Sequence, residues 1–327
     1  MDGIYTVHMA PTPSTQTGPK DKTAEWARAA AGYFDHDRRT IYTRPELEEV
    51  LHEHHWEWRV PESLVLSRFV DTMVHRGCLR RIAIRRVSRD KKRARGRRGS
   101  TRPEGTDEGS TVVRYVSREP TIHQVALSLK AGAYLSHASA MFLHGLTTRA
   151  PETVYVNKEQ TPKPSLGSLT QMGLDAAFKR PARVSRDAYS YGTATFLLLS
   201  GKHTRRLGVV DVPDAQGDAI PITGLERTLV DAVVRPVYAG GALEVLHAYR
   251  AARGRLSVEV MLQILKKLDY LYPYHQAIGF YMQRAEYPHD EVERFRALGL
   301  TFDFYLEHRM AQAQYDRSWR LYHPPGL

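Results

Sequence analysis

Between Arg80 and Arg102 the chain places twelve lysine and arginine side chains against a single carboxylate, Asp90. The whole protein holds 47 Lys and Arg and 36 Asp and Glu, a formal net charge of +11. Outside the segment, 35 basic and 35 acidic residues balance, so the entire excess sits in one short stretch. Cations at this density bind a polyanion, releasing counterions from each phosphate they neutralise. Such a grip is strong, salt-dependent and blind to sequence. The contacts expected are Arg85, Arg86, Arg89, Lys91, Lys92, Arg93, Arg95, Arg97 and Arg98. Arginines on a loop of this kind also enter a narrow minor groove.

A second set of polar residues lies just upstream. Leu66, Phe69, Val70, Met73 and Val74 recur at helical spacing between Pro61 and a stop at Gly77. Ser63, Ser67, Arg68 and Thr72 fall off that stripe, where a recognition helix offers hydroxyls to phosphates and an arginine to a guanine edge.

Other chemistry is not written into the sequence. Gly201-Lys202 resembles the end of a phosphate-binding loop, but Phe196 stands where the first glycine is needed and His203 follows the lysine. A turn at a strand end is expected there. His52, His54 and His55 lack metal spacing and fall at a helix end, where cations suit the dipole. His137 and His144 read as packing residues. Ser136 and Ser139 have no nucleophile-elbow frame. Asp211 and Glu226 could share a metal in a nuclease, but the sequence offers no further ligand. No catalytic residue, metal or cofactor is therefore expected, and the chain reads as a non-enzyme.

The elements that must position these residues follow in order. Residues 1–22, rich in Pro, Thr, Ser and Gly, read as a disordered tail. Helices are expected over 23–37, from Arg44 onward and over 61–77. Strands follow near 79–84 and 111–116, joined by a basic loop at 88–110. Helix, helix, helix, hairpin is the order of a winged helix-turn-helix with an oversized wing. Pro120 marks a boundary. Beyond it, helices are expected over 121–130, 136–144, 225–234, 242–253, 258–268, 274–285 and 290–298. Strands are expected at 154–156, 195–199 and 207–212. The fold class is α+β, with a DNA-binding domain at 23–119 and a mixed α/β domain, ending mainly helical, at 120–327. A single cysteine, Cys78, and no secretory signal or apolar span point to a reducing cytoplasm and no membrane.

Two segments carry a resemblance. One is Tyr134-Leu135-Ser136-His137-Ala138-Ser139-Ala140-Met141-Phe142-Leu143-His144-Gly145-Leu146-Thr147, followed by Val154-Tyr155-Val156. The other is Glu226-Arg227-Thr228-Leu229-Val230-Asp231 with Arg235-Pro236-Val237-Tyr238-Ala239-Gly240-Gly241. Together they resemble the AbiEi family, antitoxins of type IV toxin–antitoxin systems that act in abortive phage infection. The resemblance spans roughly residues 120 to 285. It implies an autorepressor that binds repeats in its own promoter through a winged helix. It also implies that the C-terminal domain counters a nucleotidyltransferase toxin without a stable complex. Glu226, Arg227, Asp231, Arg235 and Tyr238 become the candidates for that role. On an amphipathic helix, Glu226, Arg227 and Asp231 equally suit a surface salt-bridge set. The alternatives are a plain winged-helix regulator with a sensing domain, and a nucleic-acid-processing enzyme such as a nuclease.

Overall fold

The computed structural model describes residues 22–87, 110–162 and 167–327. The expected tail at 1–22 and the basic loop at 88–110, with Arg89, Lys91, Lys92, Arg93, Arg95, Arg97 and Arg98, lie outside the described residues apart from Lys22 and Ser110. The fold is α+β. The chain forms two compact units, one of residues 1–37 and 44–80, the other of 38–43 and 81–327. The units thus divide the chain elsewhere than at Pro120.

The smaller unit holds three helices, α1 (Lys22–His36), α2 (Arg44–Glu53) and α3 (Leu66–His75). Each buries one stripe: Trp26, Ala27, Ala30 and Phe34 from α1, Leu47, Val50 and Leu51 from α2, and Phe69, Val70 and Met73 from α3. Phe69 is the hub, with its ring 5.8 Å from Trp26, 6.4 Å from Phe34 and 6.3 Å from Trp58. Helix α3 starts at Leu66, five residues later than the sequence suggests. Leu64 N–H donates to the Pro61 carbonyl in a turn, and Val65 at the N-cap is extended. Pro61 therefore opens a turn instead of a helix.

The larger unit is built on a nine-stranded sheet. Its strands are β1 (Ile41–Tyr42), β2 (Arg80–Arg86), β3 (Thr111–Val116), β4 (Tyr134–Leu135), β5 (Thr153–Glu159), β6 (Ala188–Tyr191), β7 (Ala194–Gly201), β8 (Val209–Pro213) and β9 (Ala219–Thr223). The spatial order is β1-β3-β2-β6-β7-β5-β4-β9-β8. At its centre β5 and β7 run parallel from Thr153↔Thr195 to Glu159↔Gly201. The near-continuous apolar run Phe196-Leu197-Leu198-Leu199 suits a strand covered on both faces. Strands β2 and β6 pair antiparallel at Arg85↔Ser190 and Arg86↔Tyr189. The strands flanking the basic segment are thereby part of this sheet. Ile82, Ile84 and Val116 share a core with Val125, Ala126, Leu129, Phe196 and Ile222.

Helices α4 (Ile122–Leu127), α5 (His137–Leu143) and α6 (Gln171–Phe178) lie between the strands in sequence. Helices α7 (Leu225–Val234), α8 (Ala242–Ala251), α9 (Val258–Leu268), α10 (Tyr274–Arg284) and α11 (His289–Arg296) follow them. Thr121 caps α4 in a reciprocal capping box with Gln124. All residues of α7 from Arg227 to Val233 are buried, which makes it the central helix of the second core. The aromatic tail forms a small sheet of β10 (Phe304–Tyr305), β12 (Leu321–His323) and β11 (Gln314–Asp316). It packs Phe304, Trp319 and Leu321 into the same core.

Candidate functional site

In the smaller unit, α3 exposes Ser67 and Arg68, with Thr72 half-buried beside them. Thr72 Oγ1 donates to the Arg68 carbonyl at 2.8 Å, a bond that returns its proton to its own helix. Ser63 lies in the turn before the helix, off the recognition face that its spacing suggests. In the larger unit, Arg85 and Arg86 are exposed on β2, and Arg86 Nη2 lies 2.9 Å from Asp187 Oδ1.

The larger unit contains a cleft of about 430 Å³, and four of the five residues singled out in the C-terminal motifs line it: Arg227, Asp231, Arg235 and Tyr238. The fifth, Glu226, is used elsewhere. Its Oε1 accepts the Ser257 N–H at 3.0 Å, at the start of α9.

Helix α7 supplies the charged floor. Arg227 and Asp231 are one helical turn apart, and both are buried, with side chains 4% and 8% exposed. Arg227 Nε donates to Asp231 Oδ1 at 2.8 Å, and its Nη1 donates to the Leu207 carbonyl at 2.9 Å. Burial disfavours the charged guanidinium, but the Asp231 carboxylate, aided by Tyr270 and Tyr134, outweighs it and holds the proton more tightly than usual. A surface salt-bridge set is thus replaced by a desolvated pair. The helix ends at Arg235, whose backbone leaves the helical region (φ −139°, ψ 69°) ahead of Pro236. A 3-10 turn over Pro236–Tyr238 then brings Tyr238 back to the cleft, where its hydroxyl accepts the Ser185 N–H at 2.7 Å.

The strands supply the opposite wall. Asn157 on β5 is buried, and the end of β7 passes it at Gly201. A Cβ at Gly201 would come within 2.5 Å of Asn157 Oδ1, so glycine leaves the space that this amide fills. Lys202 follows, its ammonium donating to the carbonyls of Leu268 and Asp269, 5.6 Å from the Tyr270 ring centre. Strand β7 ends at Gly201, and the expected turn comes later, at 205–208. That turn is anchored by Glu159, which accepts from the N–H groups of Thr204 and Arg206 at 2.8 and 3.0 Å.

His137, buried and ring-packed as its reading as a packing residue expects, also lines the cleft. It opens α5 with a left-handed backbone (φ 51°), which costs energy for any side chain and is commoner for His than for most. Its Nδ1 lies 2.9 Å from Ser136 Oγ, and its ring meets Tyr238 edge-on at 5.3 Å. Burial drives its pKa down to about 4. Asp231 opposes this, and Arg227 and Arg235 reinforce it, so the imidazole is neutral near pH 7. Of the other histidines singled out in the sequence, His144 Nε2 contacts the Thr223 carbonyl at 2.7 Å, and His54 stacks on Trp58. Asp211 is exposed on β8. Among the described residues no group of three or more His, Cys, Asp or Glu is placed to hold a metal ion. No helix there is long and apolar enough to cross a membrane.

The cleft thus gathers four cationic side chains, Arg183, Lys202, Arg227 and Arg235, against the single carboxylate of Asp231. That excess is suited to holding an anion. No protein-family model matches the chain, and no curated protein does. Among solved structures the chain is similar to the RV2827C protein from Mycobacterium tuberculosis, with a TM-score of 0.52, 13% identity and 91% of each chain covered. At that identity the likeness shows a shared fold and nothing more.

Proposed function

We propose that this protein is a DNA-binding autorepressor and antitoxin, acting in the cytoplasm and opposing a nucleotidyltransferase toxin without a stable complex. The observation that carries the reading is the placement of charge. The whole excess of +11 lies between Arg80 and Arg102, and hydrogen-bonded neighbours β2 and β3 flank its core. The chain order is α1-β1-α2-α3-β2-β3, and β1 pairs with β3 at Ile41↔Val116. That order agrees with a winged helix-turn-helix, for which α3 would be the recognition helix and the basic segment the wing. The antitoxin half of the reading rests on the AbiEi-like motifs. The candidates Arg227, Asp231, Arg235 and Tyr238 share one cleft, as residues of a common task would.

The test is a gel shift on the DNA upstream of the gene, with a random duplex of equal length as competitor and salt titrated. A preference of a hundredfold or more for the upstream DNA is expected, within the range of specific recognition. Equal affinity for both duplexes would remove autorepression. A second reading, a regulator whose larger unit senses a small ligand, is favoured by the cationic cleft. An adjacent nucleotidyltransferase gene whose toxicity the protein suppresses separates the two in favour of the antitoxin.

A further inference from the structure

We infer that the cleft of the larger unit binds a nucleoside phosphate. Arg235 is half-buried beside a neutral His137, whereas Arg183 is exposed, and among the described residues neither has an ion-pair partner. A partly desolvated guanidinium without a counter-charge is costly unless an anion arrives to meet it. Arg227 differs: Asp231 already neutralises it, so its role is to hold the floor in place. The two unpaired arginines set the position of the phosphate, where fork-shaped bidentate contacts suit its oxygens.

The rest of the cleft calls for more than phosphate. Its volume of about 430 Å³ falls in the range of small-molecule sites and far exceeds what an inorganic anion fills. Val184, Val234, Tyr238 and Tyr270 give it apolar and aromatic lining. Asn157 and Gln160 add amides that can donate to and accept from the edge of a base. Charge, an apolar lining and paired amide functions together match a phosphorylated heterocycle. Among the described residues of the basic segment, 80–87, none lines the cleft.

Calorimetric titration of the full chain with ATP, GTP, CTP and UTP tests it, alongside adenosine, tripolyphosphate and a short single-stranded RNA. At least one nucleotide is expected to bind saturably, with adenosine and tripolyphosphate each weaker by tenfold or more. Arg235→Ala and Arg183→Ala should each weaken it about tenfold, and Arg235→Lys should restore part of the loss. Replacing the lysines and arginines between Arg89 and Arg98 by alanine should leave nucleotide affinity unchanged while reducing DNA affinity. Absence of saturable binding of every nucleotide to the folded protein overturns the inference. Tripolyphosphate binding as tightly as a nucleotide, RNA binding more tightly, or loss of nucleotide binding on changing the basic segment would each also overturn it.

Discussion

Asp231 keeps the floor of the cleft electrically whole. Removing it leaves a buried guanidinium without its partner, a change that costs about 3–5 kcal/mol in comparable buried pairs. Asp231→Ala is expected to lower the urea midpoint by that order, and Asp231→Ala with Arg227→Met to recover much of it. A double variant no more stable than the single one would show that Arg227 is satisfied without Asp231. His137 gives a pH signature. Its pKa falls from 6.5 to about 4 on folding, so between those values the unfolded chain holds a proton that the folded one does not. Its contribution is full above pH 6.5 and is lost as the pH drops toward 4, by up to about 3 kcal/mol. In His137→Asn, which tolerates the left-handed backbone, stability between pH 6.5 and 4 should depend less steeply on pH. An unaltered slope would move the titration to another group. The Arg227–Asp231 spacing is legible in the sequence as an ion pair, but its burial is not, because a helix covered on every side looks amphipathic when only its charges are counted. The packing of His137 is legible in the sequence, but its positive φ is not.

Gly279 and Gly201 show the same limit at the scale of elements. Gly279 stands inside α10, where glycine normally weakens a helix. A Cβ there would lie 2.1 Å from the Trp319 ring, so its absence lets the tail's indole lie against the helix. Gly279→Ala should destabilise by about 1–3 kcal/mol, the cost of overpacking a close-packed core, as read by thermal melting. An unchanged melting temperature would mean that the tail relaxes away freely. Helices α7 and α9 and strand β3 are readable to the residue, because their periodicity and caps are local. Strands β4, β9 and β10–β12 are not, being two to five residues long and defined by partners far away in sequence. The helix expected from Pro61 begins only at Leu66, since proline can open a turn as well as a helix.

For the molecule as a whole, the division at Pro120 separates what the sheet joins. A chain ended at Glu119 would strip β2 of β6 and expose the apolar faces of Ile82, Ile84 and Val116. An unpaired strand edge with such a face invites aggregation. The shortened chain is expected to elute as large species or melt well below the full protein. A monodisperse fragment with an undiminished melting temperature would show that residues up to 119 stand alone. Charge acts at this scale too. If the basic segment meets phosphates, replacing its cations should flatten the dependence of log affinity on log salt by about 0.9 for each phosphate no longer neutralised. An unaltered salt slope would show that the segment does not meet phosphates.

Strand β2 leads into the basic segment, and two strands away β7 ends at the cleft. About 10 Å of continuous backbone pairing lies between them. Thermodynamic linkage makes any influence along that path mutual: the factor by which an occupied cleft alters DNA affinity is the factor by which bound DNA alters affinity in the cleft. On the proposed reading of both sites, a metabolite level would be read out as promoter occupancy. The promoter, in turn, would set how much of the metabolite this protein retains.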